Sequence, residues 1–253
     1  MGRLLVAELL KLKRQWASAL TFIAPISQAC FLFLFYWFLE DRANPHGDGF
    51  FTWYQTQGIA WNLFFMPITV ALIATLTWDM EAMAGRGKHL FVQPYSRQAH
   101  FFAKTMSHFL MMLVATLTLA LFVFSGGLLL KRYVPTLDMG NPDLAHLLRL
   151  TMISILGTSP LIILHTWIPI RLSGMVGNLV IALGGSWGTL QLAENHPAVS
   201  AWSPWGMASQ ATSFALEGKA GFFKFLLGCL GITLLLLVAT TLDFRRRDTP
   251  FND

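Results

Sequence analysis

Charge is what this sequence has least of. Asp, Glu, Lys and Arg make up 12% of its 253 residues, about half the roughly 25% of an ordinary soluble domain. Its apolar residues, 55% of the total, run in long blocks. Together these features indicate a polytopic membrane protein. Cysteine is nearly absent as well. Cys30 and Cys229 lie inside apolar runs, with no CxxC or Cys/His spacing. This excludes a disulfide framework and a cysteine zinc site and leaves two buried small hydrophobes. The formal net charge of +5 comes without basic runs interleaved with stacking aromatics, so nucleic acid is not an expected partner.

Catalytic constellations are missing too. A Walker A loop needs Gly-Lys-Ser/Thr after a strand, so that backbone N–H groups can cradle phosphates. The nearest approach, GRGKH at 85–89, ends in His89 and follows no strand. Seven histidines are present (His46, His89, His100, His108, His146, His165 and His196), and no pair has the i, i+4 spacing of a helical zinc site. No paired carboxylates face each other within a span. The chain is therefore not expected to be an enzyme, nor to hold a metal or a cofactor.

What the sequence does have is apolar length. Six stretches meet or approach the roughly 20 residues that cross a bilayer: 17–39, 58–78, 105–130, 150–170, 172–193 and 221–242. Across these, Lys224 in the last is the single charged residue, placed to snorkel to the interface. Without an acidic residue at midplane, ion-coupled transport and intramembrane proteolysis lose their usual chemistry. His165 is the one histidine deep in a span and reads equally as packing glue or as a functional group. Pro160 should kink the fourth span. Gly177, Gly184 and Gly188 form a small-residue stripe on the fifth, suited to intramolecular packing or to a dimer seam.

Charge placement predicts orientation. With six spans, twelve Lys and Arg residues fall on the side of both termini and six on the other, so both termini and the segment 79–97 should be cytoplasmic. Residues 1–16 read as a retained amphipathic interfacial helix. Leu5, Leu9, Leu12 and Trp16 lie on one face, and Glu8, Lys11 and Arg14 on the other. The outer loop 40–57 begins polar and ends in an aromatic belt, FFTWYQ. The outer loop 194–221 is long and rich in Trp, Pro and Ala, suited to a short helix dipping into the outer leaflet.

The segment DMEAMAGRGKHLFVQPYSR at 79–97 interrupts two apolar spans with polar, basic sequence. It can form a short amphipathic helix broken by Gly85 and Gly87, followed by a turn at Pro94. It could equally be a basic loop held to anionic lipid. Here the chain resembles ABC-2 type transporter permeases. The resemblance rests on AELLKLKRQW near the N-terminus, and on an acid followed by Gly, a hydrophobic pair, Pro, Ser-Arg and a closing Lys. These are Glu81, Gly85 or Gly87, Leu90 and Phe91, Pro94, Ser96 and Arg97, and Lys104. Within the family the chain is most similar to permeases of lantibiotic or bacteriocin self-protection. Arg86 and Lys88 stand where such loops often carry Thr after the Gly.

The resemblance implies an all-α, six-span transmembrane domain over 1–253. It would be the permease of an ATP-driven exporter in a bacterial inner membrane, and its cargo would be amphipathic: an antimicrobial peptide, a drug or a lipid-like molecule. Glu81, Gly85, His89, Leu90, Phe91, Pro94 and Arg97 would couple it to separate ABC ATPase subunits that bind ATP and magnesium. The interfacial helix with Glu8, Lys11 and Arg14 would flank that dock. A second copy or sister permease would complete the pore, and short extracellular helices would precede the last span. The alternative is a membrane scaffold or assembly factor without transport.

Overall fold

The computed structural model describes residues 2–13, 15–38, 49–83, 96–172, 174–216, 218 and 220–245. Among them there is no strand. The helices are α1 (Gly2–Leu12), α2 (Trp16–Phe38), α3 (Gly49–Ala60), α4 (Met66–Met83), α5 (Arg97–Tyr133), α6 (Leu144–Arg171), α7 (Met175–Asn195), α8 (Pro197–Ser200), α9 (Met207–Leu216) and α10 (Phe222–Arg245). A π-helical turn, Trp61–Phe65, joins α3 to α4. Five helices are long and apolar enough to cross a membrane: α2, the α3–α4 unit over Gly49–Glu81, α5, α6 and α10. The fifth stretch expected from sequence is α7, which has 21 residues and spans about 31 Å at 1.5 Å per residue. Gly, Asn, Ser, Thr and Gln dilute its apolarity, and it is not among the five.

Local chemistry sets the helix ends. Ser96 starts α5 by accepting a hydrogen bond from Ala99 N, and Asp143 starts α6 by accepting one from His146 N. Each cap satisfies an otherwise orphan N–H. Lys131 and Arg132 occupy the last turn of α5, where the helix dipole favours cations. Leu172 and Gly174, the latter with φ +98°, turn α6 into α7; a side chain rarely adopts that backbone region.

The prolines inside α6 do not end it. Pro160 cannot donate to the carbonyl four residues back, Leu156 O. Ser159 Oγ donates to that oxygen instead, at 2.6 Å. Pro169 likewise leaves His165 O, which lies 3.4 Å from Asn178 Nδ2 of α7. A freed carbonyl in lipid must find such a donor, because no water reaches it. In the α3–α4 unit the π turn ends just before Pro67. Widening the turn accommodates the proline ring against the preceding carbonyls.

The bundle has two recognisable ends. At one, the C-terminus of α4, the N-terminus of α5 and the C-termini of α6 and α10 meet in a cluster of Trp78, Phe101, Ile170 and Phe244. Arg171 pairs with Asp243, and Trp167 Nε1 donates to Asp243 Oδ2 at 2.8 Å. At the other end, Gly49 N and Phe50 N donate to Asp138 O and Met139 O, tying α3 to the turn after α5. The aromatic belt expected at 50–55 is instead helical. Phe50, Trp53 and Tyr54 are buried, and Trp53 Nε1 donates to Val123 O at 2.8 Å. Cys229 is buried as expected, whereas Cys30 is exposed on the outside of α2.

The segment before α10 carries two short helices, α8 and α9. Between them Trp205 lies on Gly185 of α7 and Trp202 on Gly228 of α10. Each ring fills the space a side chain would take.

Candidate functional site

Buried charge concentrates where α1 meets the ends of α4 and α5. Glu8 on α1, Glu81 on α4 and Lys104 on α5 are all buried. Lys11 Nζ lies 2.5 Å from Glu8 Oε1 and 3.0 Å from Glu81 Oε1. Lys104 Nζ lies 3.0 Å from Glu81 Oε2 and 3.9 Å from Glu8 Oε2. The four charges alternate in sign, so each is neutralised by its neighbours. The Lys104–Glu81 contact is an ion pair without hydrogen-bond alignment at Oε2. Lys104 Nζ instead donates to Thr77 O at 3.3 Å and sits 4.3 Å from the centre of the Trp78 ring, a cation–π contact.

Lys11 is the member reached by solvent, with 27% of its side chain exposed. Burial works against its charge, but the carboxylates of Glu81 and Glu8 outweigh that, and the ammonium titrates above its ordinary 10.5. Lys11 therefore keeps its charge at neutral pH.

One turn further along α5 the polar column continues. His108, at i+4 from Lys104, bridges Thr77 Oγ1 of α4 and Thr166 Oγ1 of α6, both at 2.8 Å. Trp78 Nε1 donates to Thr166 O at 2.8 Å. Three helices are clamped through neutral side chains directly behind the ionic layer.

A second buried node joins α4, α6 and α7. Asn178 Nδ2 donates to Ala71 O and Thr75 Oγ1, each at 3.0 Å, so its Oδ1 accepts from His165 Nδ1 at 2.6 Å. That assignment makes Nδ1 the protonated nitrogen of His165. A third node lies on the π turn, where Ser154 Oγ donates to Asn62 Oδ1 at 2.5 Å.

The residues expected from sequence fall into three groups. Glu8, Lys11 and Glu81 come together in the quartet, joined by Lys104. Arg97 opens α5 four residues before the buried Phe101. Arg14, Gly85, His89, Leu90, Phe91 and Pro94 lie outside the described residues. Of the glycine stripe, Gly184 and Gly188 have open space where a Cβ would stand, and Gly177 meets only Leu172. The glycine of α7 that is packed is Gly185.

Helix α1 is turned differently from the sequence expectation. Leu4, Glu8 and Leu12 face the protein, whereas Val6, Leu9, Leu10 and the following Trp16 are exposed. The polar edge expected at Glu8 and Lys11 is therefore the packed edge, because Glu81 and Lys104 offer it opposite charge. Lys104 was legible as the closing Lys of the loop pattern. Its pairing was not, since Glu8 and Lys104 are far apart in the chain. Among the described residues no group of His, Cys, Asp and Glu could hold a metal ion.

Comparison with known proteins bears on the same region. Residues 4–185 match the family model described as ABC-2 family transporter protein, which takes in the quartet, the His108 clamp and the Asn178 node. No curated protein and no solved structure matches the chain. The matched stretch is well over half of the 253 residues, and five apolar helices are long enough to cross a bilayer. The chain is a multi-pass membrane protein that belongs to the ABC-2 transporter family, the membrane transport components of ABC transporters.

Proposed function

We propose that this chain is the permease of an ATP-driven exporter in a bacterial inner membrane. It works as a pair with itself or a sister permease and is driven by separate ABC ATPase subunits that bind ATP and magnesium. Its cargo is amphipathic, with a bacteriocin-like peptide, a drug or a lipid-like molecule as the candidates. Six helices cross, α7 included, so that both termini and the segment 84–95 lie in the cytoplasm. Residues around Glu81, Gly85, His89, Leu90, Phe91, Pro94 and Arg97 engage the ATPase, and Gly177, Gly184 and Gly188 border the partner permease.

The observation that supports coupling at this place is the quartet. The chain entering the 84–95 segment leaves from Glu81, and the chain returning from it enters at Arg97 and reaches Lys104. Both ends are thus locked to each other and to α1 by buried charge. A push on the segment reaches α4 and α5 as one body, since separating Glu81 from Lys104 would expose two charges to an apolar surround.

The test is co-purification of the full chain from its native membrane. The wild type should bring down an ATPase with Walker-type nucleotide binding, and Arg97→Ala should lose it while keeping the melting temperature. An ATPase retained by Arg97→Ala together with Glu81→Ala, with transport intact, overturns the coupling role. A wild-type chain that brings down no ATPase points to the scaffold.

A further inference from the structure

Two cavities meet at the elbow between α1 and α2. One, of about 350 Å³, opens in front of the quartet and is lined by Glu8, Lys11, Glu81 and Lys104. The other is a groove of about 280 Å³ walled by Leu9, Phe22, Leu110, Met111 and Val114. Leu12 and Lys13 line both, so a charged pocket passes into an apolar channel around one lysine.

The charges there do not balance. Two carboxylates, Glu8 and Glu81, are matched by two ammonium groups, Lys11 and Lys104. Lys13 is exposed and pairs with no carboxylate among the described residues. The pocket therefore carries one surplus positive charge at the mouth of the groove. The groove runs along α2 and α5, both long and apolar enough to be membrane spans. Leu9 and Leu10 of α1 are exposed beside it, as in a helix sunk to the acyl boundary.

A basic rim on an apolar channel at the membrane surface selects an amphiphile with an anionic head. We infer that the α1–α2 elbow binds one anionic phospholipid. Its phosphodiester sits at Lys13, its polar head in the quartet pocket and one acyl chain along Phe22, Leu110 and Val114. A glycerol head suits the pocket further, because its hydroxyls can donate to Glu8 and Glu81. The lipid then wedges α1 against α5. The inference rests on the two cavities and the lysine they share, and it stands whether or not the chain exports anything.

The experiment uses the full purified chain in detergent, with native mass spectrometry and melting curves. The probes are phosphatidylglycerol, phosphatidylcholine with the same chains, and inorganic phosphate. Phosphatidylglycerol should be retained as a one-to-one adduct and raise the melting temperature above either other probe. Lys13→Gln should weaken its binding about fivefold, the worth of one lysine near an anionic head. Val114→Trp, at a position 40% exposed, should fill the groove and abolish the adduct. Both variants change exposed side chains and should melt like wild type without lipid. Equal retention of the two lipids, an adduct that survives Val114→Trp, or a phosphate shift as large as that of phosphatidylglycerol overturns the inference.

Discussion

At the residue scale, the decisive feature is a lysine with almost no water. The Lys104 side chain is 5% exposed and that of Glu81 6%. Removing Lys104 leaves the carboxylates of Glu8 and Glu81 with only the Lys11 ammonium between them, a surplus buried charge that costs up to about 3–5 kcal/mol, whereas removing one carboxylate charge along with it restores the balance. Lys104→Met should therefore lower the melting temperature of the full chain in detergent steeply. Lys104→Met combined with Glu81→Gln should recover much of the loss. A double variant as unstable as the single one would show that the Trp78 contact, not the ion pair, dominates. The individual charges were legible in sequence, and so was their place near the 79–97 segment. Their mutual burial was not. A helical face drawn for α1 alone assigns Glu8 to water, and only opposite charge brought by α4 and α5 turns it inward.

At the element scale, apolar run length points to long helices but not to how they are capped and mended. The expected spans 105–130 and 150–170 lie inside α5 and α6, which continue past them at both ends, because Ser96 and Asp143 cap earlier than the apolar run begins. Pro160 lies inside α6, which continues through it, with Ser159 Oγ donating to the carbonyl that the proline ring leaves free. The π turn at Trp61–Phe65 left no trace in composition beyond Pro67.

Glycine placement gives a test at this scale. A Cβ at Gly157 would lie 2.7 Å from Ala208 Cα, backbone that cannot swing aside, whereas Gly184 and Gly188 meet nothing within 4 Å. Gly157→Ala should force α6 from α9 at a cost of about 1–3 kcal/mol. Gly184→Leu and Gly188→Leu should leave the melting of the monomer unchanged. If these two also leave the permease pair intact by native mass spectrometry, the seam lies elsewhere.

At the scale of the whole molecule, the helical class and the membrane setting were plain from scarce charge and long apolar blocks. The number of crossings was harder, because α7 mixes apolar residues with Gly, Asn, Ser, Thr and Gln, of which Asn178 bonds to α4 and α6. Single cysteines introduced at Asn195 and Arg97, in a chain with Cys30 and Cys229 replaced by Ser, should be labelled from opposite faces of intact vesicles, with Arg97 on the cytoplasmic face. Labelling of both from one face would make α7 a helix that does not cross, and would put the outer helices α8 and α9 on the side of the 84–95 segment.

The packed edge of α1 also bears on how the molecule can be handled. A purification handle fused ahead of Gly2 hangs directly on the helix that carries Glu8 and Lys11, and tension or bulk there is felt at Glu81 and Lys104. Preparations made with an N-terminal fusion should lose drive before they lose fold, an artefact easily taken for a missing partner.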